Sequence, residues 1–386
     1  MAKVGILTLY HKNYNYGGIL QAYALQKTIE KEGHECSQIC YERDYNNCNK
    51  WQDSKKKSLG EIVGKVNDKI SQKVDNALNK KKHALINEKI ALRNKMFDKF
   101  IDSINHTDVF KRENIAETNE LFDTFVVGSD QVWNFTFTDE SYLLDFAAAD
   151  KKKIAYAASF GKSKLSNKEN ELVKNLASSF KHISVREQAG VNILAENGFN
   201  NIDLVLDPTL LLERNDWEQV AAMPDIDGQY IFSYMLGNNP KQRQRIMKLG
   251  KQLGLKVVTF PMVAYGDNDT DFGDIQVYEA GPAEFVGLIR NAKYVLTDSF
   301  HACVFSAIFA KKIGVMLRYK DDSGESMNSR IYSLLNMFGM QDRIIGYDDE
   351  IDMNMLDSDI DYVGVHNNIS NMRQASLGKL VNYIND

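Results

Sequence analysis

Cysteine is scarce in this chain, with four in 386 residues: Cys36, Cys40, Cys48 and Cys303. None forms a CxxC pair and no histidine cluster accompanies them, which argues against a zinc site and favours reduced thiols in the cytosol. The GxGxxG and GxxxxGKS/T fingerprints are missing, and with them the usual nicotinamide, flavin and ATP signatures. No apolar run approaches the ~18 residues of a membrane span. The apolar start at residues 4–9 is too short for a signal-peptide core, has no cleavage-like site after it, and reads as a first strand. Internal repeats and low-complexity segments are absent.

What is present is ordinary for a soluble protein, with 44% hydrophobic and 26% charged residues. A net charge of −5 argues weakly against nucleic acid as the main partner. At 386 residues the chain exceeds one ordinary core, so two domains are expected. Strands are predicted at 3–9, 36–41, 122–127, 154–159, 182–185 and 203–206, then in a second series at 230–235, 256–260, 294–296 and 313–317. Helices interleave with them, which predicts two parallel, doubly wound α/β units with ligands at the carboxyl ends of the strands and a cleft between. The first domain is placed at 1–220, the second at 221–365, and a terminal helix within 366–386. Residues 54–105 form a Lys-rich helical excursion, read as an insertion on the first domain. Its basic face either meets anionic lipid or acceptor, or is simply solvated.

Polar residues cluster where this topology places ligands. Residues 294–296 run into Thr297-Asp298-Ser299 and then a helix with apolar Phe300, Val304, Ala307 and Ile308. Asp298 or Ser299 is the N-cap, so His301 falls in the first turn, beside free backbone N–H groups and the positive end of the helix dipole. An imidazole there suits an anionic substrate that needs a proton, or is a half-buried residue of a capped helix. Cys303 reads as a small buried thiol rather than a nucleophile.

Other strand ends add candidates. Gly128 would let the backbone approach a ligand, and Asp130 is either a carboxylate base, a hydroxyl acceptor or a turn cap. Ser129 stands between them. Ser159 either donates to an anion or belongs to a turn. Arg186 ends a buried strand and needs a counter-anion, either a substrate carboxylate or phosphate, or a structural partner such as Asp207. Gly237 and Asn238 precede a helix in the manner of a phosphate-accepting turn. Asn15, Tyr16, Gly17 and Gly18 suit a sugar, with Tyr stacking and Asn amides on hydroxyls, or make a tight turn. Arg330, behind Ser329 at another helix start, is an anion contact or a surface ion pair. His301, Arg186, Ser159, the Gly237 turn and Arg330 together suggest a small phosphorylated carboxylate as substrate, with no metal box beside them.

These pieces are similar to those of a known family. Asn15 onward (Asn-Tyr-Gly-Gly-Ile-Leu-Gln-Ala-Tyr-Ala-Leu-Gln), residues 127–134, 157–161 and 184–187, Asp207-Pro208, and Gly281-Pro282-Ala283-Glu284-Phe285 are among them. The strongest is Thr297-Asp298-Ser299-Phe300-His301, followed by Asn328-Ser329-Arg330-Ile331. In that order, across almost the whole chain, they resemble the polysaccharide pyruvyl transferases. Ala302 stands where many members have Gly, and the Lys-rich excursion matches no family motif.

The resemblance implies a GT-B-like glycosyltransferase architecture, two Rossmann-like domains facing a cleft, with the last helix crossing back to the first domain. It also implies a donor, phosphoenolpyruvate, whose enolpyruvyl carbons pass to two sugar hydroxyls as a cyclic ketal with release of phosphate. No cofactor beyond that donor is implied. His301 would then be general acid or phosphate ligand, Arg186 the donor clamp, and Asp130 the acceptor-side base. Gly128, Ser129, Ser159, Gly237, Asn238, Ser299 and Arg330 would hold anion or acceptor, and the loop from Asn15 to Gly18 the sugar. The acceptor is free or lipid-linked, in the cytoplasm or at the inner face of the membrane. The competing readings are a GT-B glycosyltransferase using a nucleotide sugar, and a catalytically silent polysaccharide-binding module.

Overall fold

The computed structural model describes residues 1–43, 80–261, 269–320 and 328–386. Cys48 and the first half of the Lys-rich excursion, 54–79, lie outside the described residues. The first sheet holds β1 (Lys3–Leu7), β2 (Glu35–Tyr41), β3 (His106–Phe110), β4 (Thr124–Val127), β5 (Lys152–Ala158), β6 (His182–Val185) and β7 (Ile202–Leu204). Their order is β3-β2-β1-β4-β5-β6-β7. The second sheet holds β8 (Tyr230–Tyr234), β9 (Lys256–Thr259), β10 (Ile275–Gln276), β11 (Tyr294–Thr297), β12 (Lys312–Met316) and β13 (Ile344–Ile345), in the order β10-β9-β8-β11-β12-β13. The named pairings in both sheets are parallel. The α/β, doubly wound Rossmann-like class expected from the alternation is therefore present twice.

Central strands such as Thr124–Val127 and Tyr294–Thr297 are buried at every position, as strands covered by helices on both faces must be. Strand order reverses between β1 and β4, and again between β8 and β11. At such a switch the loops leaving the two strands diverge and open a crevice at the carboxyl ends. The loops concerned, with the first turns of the helices that follow them, carry Asn15 to Gly18, Gly128 to Asp130, Gly237, and Ser299 to His301. The polar edge strand β3 was not expected; its burial is confined mainly to Phe110, so it shows no apolar alternation to read.

Two long helices tie the halves together. The helix Lys80–Ile101 is not confined to the first sheet, as an insertion packed on that domain would be. Its Arg93 donates to the Pro261 carbonyl at 3.0 Å, and its Met96 carbonyl lies 2.8 Å from where a Cβ on Gly281 would stand. Phe97, fully buried, meets the Tyr16 ring at 4.7 Å. The closing helix, Tyr362–Asn385, begins earlier than its apolar stripe suggests, because Asp361 caps it by accepting from Gly364 N at 3.0 Å. It reaches the first sheet. Ser376 accepts from Leu206 N at 3.0 Å, Arg373 donates to the Leu210 carbonyl at 2.7 Å, and Lys379 and Tyr383 both bond Asp203.

Leu380 on that helix is fully buried. Leu380→Ala is expected to cost roughly 2–5 kcal/mol, from lost transfer energy and the cavity left behind. Urea unfolding should show a lower midpoint with an unchanged slope.

Candidate active site

The site is built on a buried carboxylate. Asp207 follows β7 and caps the single turn Pro208–Leu210, whose proline fixes the first position of the turn. Its Oδ1 accepts from Thr209 N at 3.0 Å and from Thr209 Oγ1 at 2.7 Å. Its Oδ2 accepts from Arg186 Nη1 at 2.7 Å. Arg186 leaves the end of β6 and is almost fully buried. It also donates from Nη2 to Asp130 Oδ1 at 2.8 Å and, more weakly, from Nε to Glu187 Oε2 at 3.4 Å. Burial opposes its charge, but Asp130, Asp207 and Glu187 together push the Arg186 guanidinium above its ordinary value. Arg186 is therefore committed to three carboxylates of its own chain. The expectation that it clamps a substrate carboxylate or phosphate is corrected to a role in positioning Asp130 and Asp207.

Residues from the second sheet dock onto this cluster. Ser299 is the N-cap of the helix Phe300–Ile308, accepting from Ala302 N, so His301 sits in the first turn as expected. The His301 side chain, 9% exposed, points Nε2 at Asp207 Oδ2 across 3.7 Å, an ion-contact distance rather than a hydrogen bond. Burial pushes Asp207 up, yet the His301 and Arg186 contacts prevail and hold it well below the usual carboxylate range. Phe300 places its ring 4.7 Å from the Arg186 guanidinium, a cation–π contact across the same seam. The opposite edge of the imidazole lies on backbone. A Cβ added to Gly17 would stand 1.9 Å from His301 Nδ1, so only glycine admits the ring there.

Arg330 adds positive charge to the same region. It is pushed down to about 10, first by burial and then by the nearby charge of Arg186 and Arg318, with Glu187 and Asp130 acting the other way. Arg318 was not singled out in the sequence, although it stands just past β12, at a strand end like the others. It donates to Asp298 Oδ2 at 3.1 Å. Asp298 in turn accepts from Leu236 N at 2.7 Å and Gly237 N at 2.6 Å. The Gly237 turn is thus filled by a side chain of its own chain and is not an open phosphate cradle; Asn238 beside it is exposed.

Several other candidates prove to be framework. The Ser129 hydroxyl is buried, donates to the Ala157 carbonyl at 2.8 Å and lies 3.3 Å from Asp207 Oδ2. Its backbone is held by Gln21, whose Oε1 accepts from Ser129 N at 2.8 Å. Gly128 has φ +127 and packs so tightly that a Cβ would stand 2.0 Å from the Tyr156 carbonyl oxygen, so it serves strand packing rather than ligand approach. Ser159 donates to Glu187 Oε1 at 2.5 Å, which takes it out of anion binding. Ser299 is occupied as a cap and Asn15 as another, accepting from Gly18 N at 3.0 Å. Tyr16 is buried, donates to the Ala280 carbonyl at 3.0 Å and stacks on Phe285 at 5.0 Å and Phe260 at 4.9 Å, so its ring is not available to a pyranose. Asp130 keeps its place: one oxygen is held by Arg186, its side chain is 15% exposed, and the other oxygen faces Gly18. Cys303 is a buried thiol pushed up by burial, as expected of a residue that does no chemistry. Among the described residues no group of three or more His, Cys, Asp or Glu is arranged to hold a metal ion, and no helix is long and apolar enough to cross a membrane.

A family model described as polysaccharide pyruvyl transferase matches residues 15–316. The chain belongs to that family. The matched span holds Asp130, Arg186, Asp207 and His301; Arg330 lies beyond it. No curated protein matches the chain. Among solved structures, a UDP-GlcNAc 2-epimerase from Neisseria meningitidis is similar at 10% identity and TM-score 0.49, covering 98% of this chain and 100% of that one. A UDP-N-acetylglucosamine 2-epimerase from Rickettsia bellii is similar at 12% identity and TM-score 0.49, with 100% and 97% covered. MurG from Acinetobacter baumannii is similar at 9% identity and TM-score 0.40, with 100% and 99% covered.

Two outcomes are expected of this pyruvyl transferase family site. Gly17→Ala should leave the fold intact, displace His301 and lower turnover at least tenfold; circular dichroism with a turnover assay reads both. Asp207 is depressed in the fold, so the stability it contributes is present above the unfolded value of about 3.9 and is lost as pH falls below it. Asp207→Asn should therefore lower stability at pH 7 and flatten its acid dependence below about pH 4 in denaturant titrations.

Proposed function

We propose that the chain moves the enolpyruvyl group of phosphoenolpyruvate onto two hydroxyls of a sugar in a surface polysaccharide or its precursor, forming a cyclic ketal and releasing phosphate. One observation carries the reading. His301, from the second sheet, is seated against Asp207 on the first; Arg186 joins Asp207 to Asp130, and the charge of Arg330 is felt by Arg186 and Asp130. That is a proton donor, a carboxylate base and a cationic wall in one crevice, on a chain of the pyruvyl transferase family.

The chemistry balances with these groups. His301 gives its proton to the methylene carbon of the donor, leaving an oxocarbenium-like centre at C2. A sugar hydroxyl adds there and loses its proton to Asp130. The C2–O bond to phosphate breaks, and a second hydroxyl closes the ring, its proton leaving with phosphate. Of the two hydroxyl protons one replaces that lost by His301 and one ends on phosphate. Arg330 is the guanidinium assigned to the donor anion. Arg186 acts through the carboxylates it positions. As written, the reaction calls for no other cofactor, and we place it in the cytoplasm, where the donor is available.

Phosphate release from phosphoenolpyruvate and acceptor should fall 10²–10⁴-fold in His301→Ala, the usual worth of a positioned general acid. Phosphoenolpyruvate should raise the melting temperature of the wild type. Near-wild-type release in the variant removes His301 from the chemistry. Stabilisation by uridine or guanosine diphosphate instead of phosphoenolpyruvate would favour a nucleotide-sugar glycosyltransferase.

A further inference from the structure

A second depression opens beside the crevice, at the carboxyl ends of β1 and β2. It encloses about 460 Å³, within the range of small-molecule sites. Its floor is Tyr10, Cys40 and His11. Tyr10 is 1% exposed, and its hydroxyl faces the Cys40 thiol but has no oxygen or nitrogen partner among the described residues. His11 meets Cys40 Sγ through Nδ1 at 2.9 Å, while its buried Nε2 has no partner there either. With the Tyr10 hydroxyl turned to Cys40, His11 Nε2 is the polar atom of this floor left for a hydrogen-bonding guest. The rim is Tyr14 with Asp98, Asp102 and Asp108. Tyr14 is exposed and its hydroxyl faces Asp98. Lys12, the cation of this rim, is already paired with Glu42 at 2.6 Å.

The depression adjoins the reacting centre through one short loop. The Cβ position of Gly18 lies 3.1 Å from Asn13 Nδ2 and 3.6 Å from Asp130 Oδ2, and Asn13 sits between Lys12 and Tyr14 of the rim. We infer that this depression holds a neighbouring sugar unit of the acceptor, one that carries hydroxyls or an amine and no acid group. The inference rests on the pyruvyl-transfer reading for which unit reacts, and not for the binding itself. Aromatic Tyr14 supplies a face for the ring. The carboxylates accept from hydroxyls or an ammonium and repel a uronate.

The test is binding of trisaccharides to the full chain, followed by titration calorimetry, with galactose, glucosamine and galacturonic acid trimers as probes. Wild type should bind the glucosamine or galactose trimer at least tenfold more tightly than the galacturonate trimer. The doubly substituted Asp102→Lys, Asp108→Lys protein should lose that preference or invert it. An unchanged ranking in the variant, a wild type that prefers galacturonate, or no binding of the glucosamine and galactose trimers would overturn the proposal. Phosphoenolpyruvate-induced stabilisation is measured on both proteins. Its absence from both, with the sugar preference present in the wild type and lost in the variant, would sink the pyruvyl reading and leave this subsite standing.

Discussion

The arrangement depends on a charge that cannot be left alone. Asp207 is out of water, and an isolated carboxylate there would be costly enough to take up a proton. It stays ionised because Arg186 reaches it from the neighbouring strand end and His301 from the other sheet. Arg186 is equally dependent, since its guanidinium is buried among Asp130, Asp207 and Glu187. Removing one member of such a buried group typically costs 3–5 kcal/mol, because the rest are left uncompensated. The pairing thus fixes the relation between the two sheets at the point where their crevices meet. Phe300 on Arg186 and the Gly17 backbone against His301 keep that relation tight.

Much of the frame was legible because parallel strands buried on both faces are dense in apolar residues. Residues 182–185 were read to the residue. Strand ends were legible too, since polar residues interrupt the apolar runs there. What sequence could not show was which polar group each one meets. Ser159 looked free for an anion because Glu187, 28 residues on, is not visible as its partner until the strands are paired. Gly237 looked like a phosphate cradle because Asp298, 61 residues away, fills it. Tyr16 looked like a sugar platform because its stacking partners, Phe260 just past β9 and Phe285 on the helix Pro282–Asn291, belong to the second half of the chain. Asp207 was the opposite case. Its Asp-Pro signature and the need of a buried arginine for a partner named it before the fold did.

The corrections share a direction. Backbone N–H groups and hydroxyls, the usual neutral anion binders, are consumed inside the structure by Asp298, Ser299, Asn15 and Glu187. On the proposed reading, recognition of the charged donor then falls to Arg330. That is a different physics from a helix-terminus cradle, since a guanidinium brings full charge and a fork that fits carboxylate or phosphate in the plane. The depressed value of Arg330 reflects the same crowding: burial combined with the positive charge of Arg186 and Arg318. An incoming anion would relieve it.

On the proposed reading, charge balance in the cluster also gives the reaction a direction. Asp130, Glu187 and Asp207 bring three negative charges; Arg186, Arg330 and a protonated His301 bring three positive ones. The donor therefore meets a neutral surround in which Arg330, buried near Arg186 and Arg318, is the group assigned to it. Once His301 has given its proton to the methylene carbon, the cluster carries one net negative charge, until the first sugar hydroxyl protonates Asp130 and leaves Asp207 beside a neutral imidazole. The departing phosphate then faces Asp207 without its imidazolium screen, in a place where burial makes the interaction stronger than in water. Proton transfer weakens the hold on the product at the step that forms it. Passage of that proton from Asp130 to His301 restores the imidazolium for the next donor.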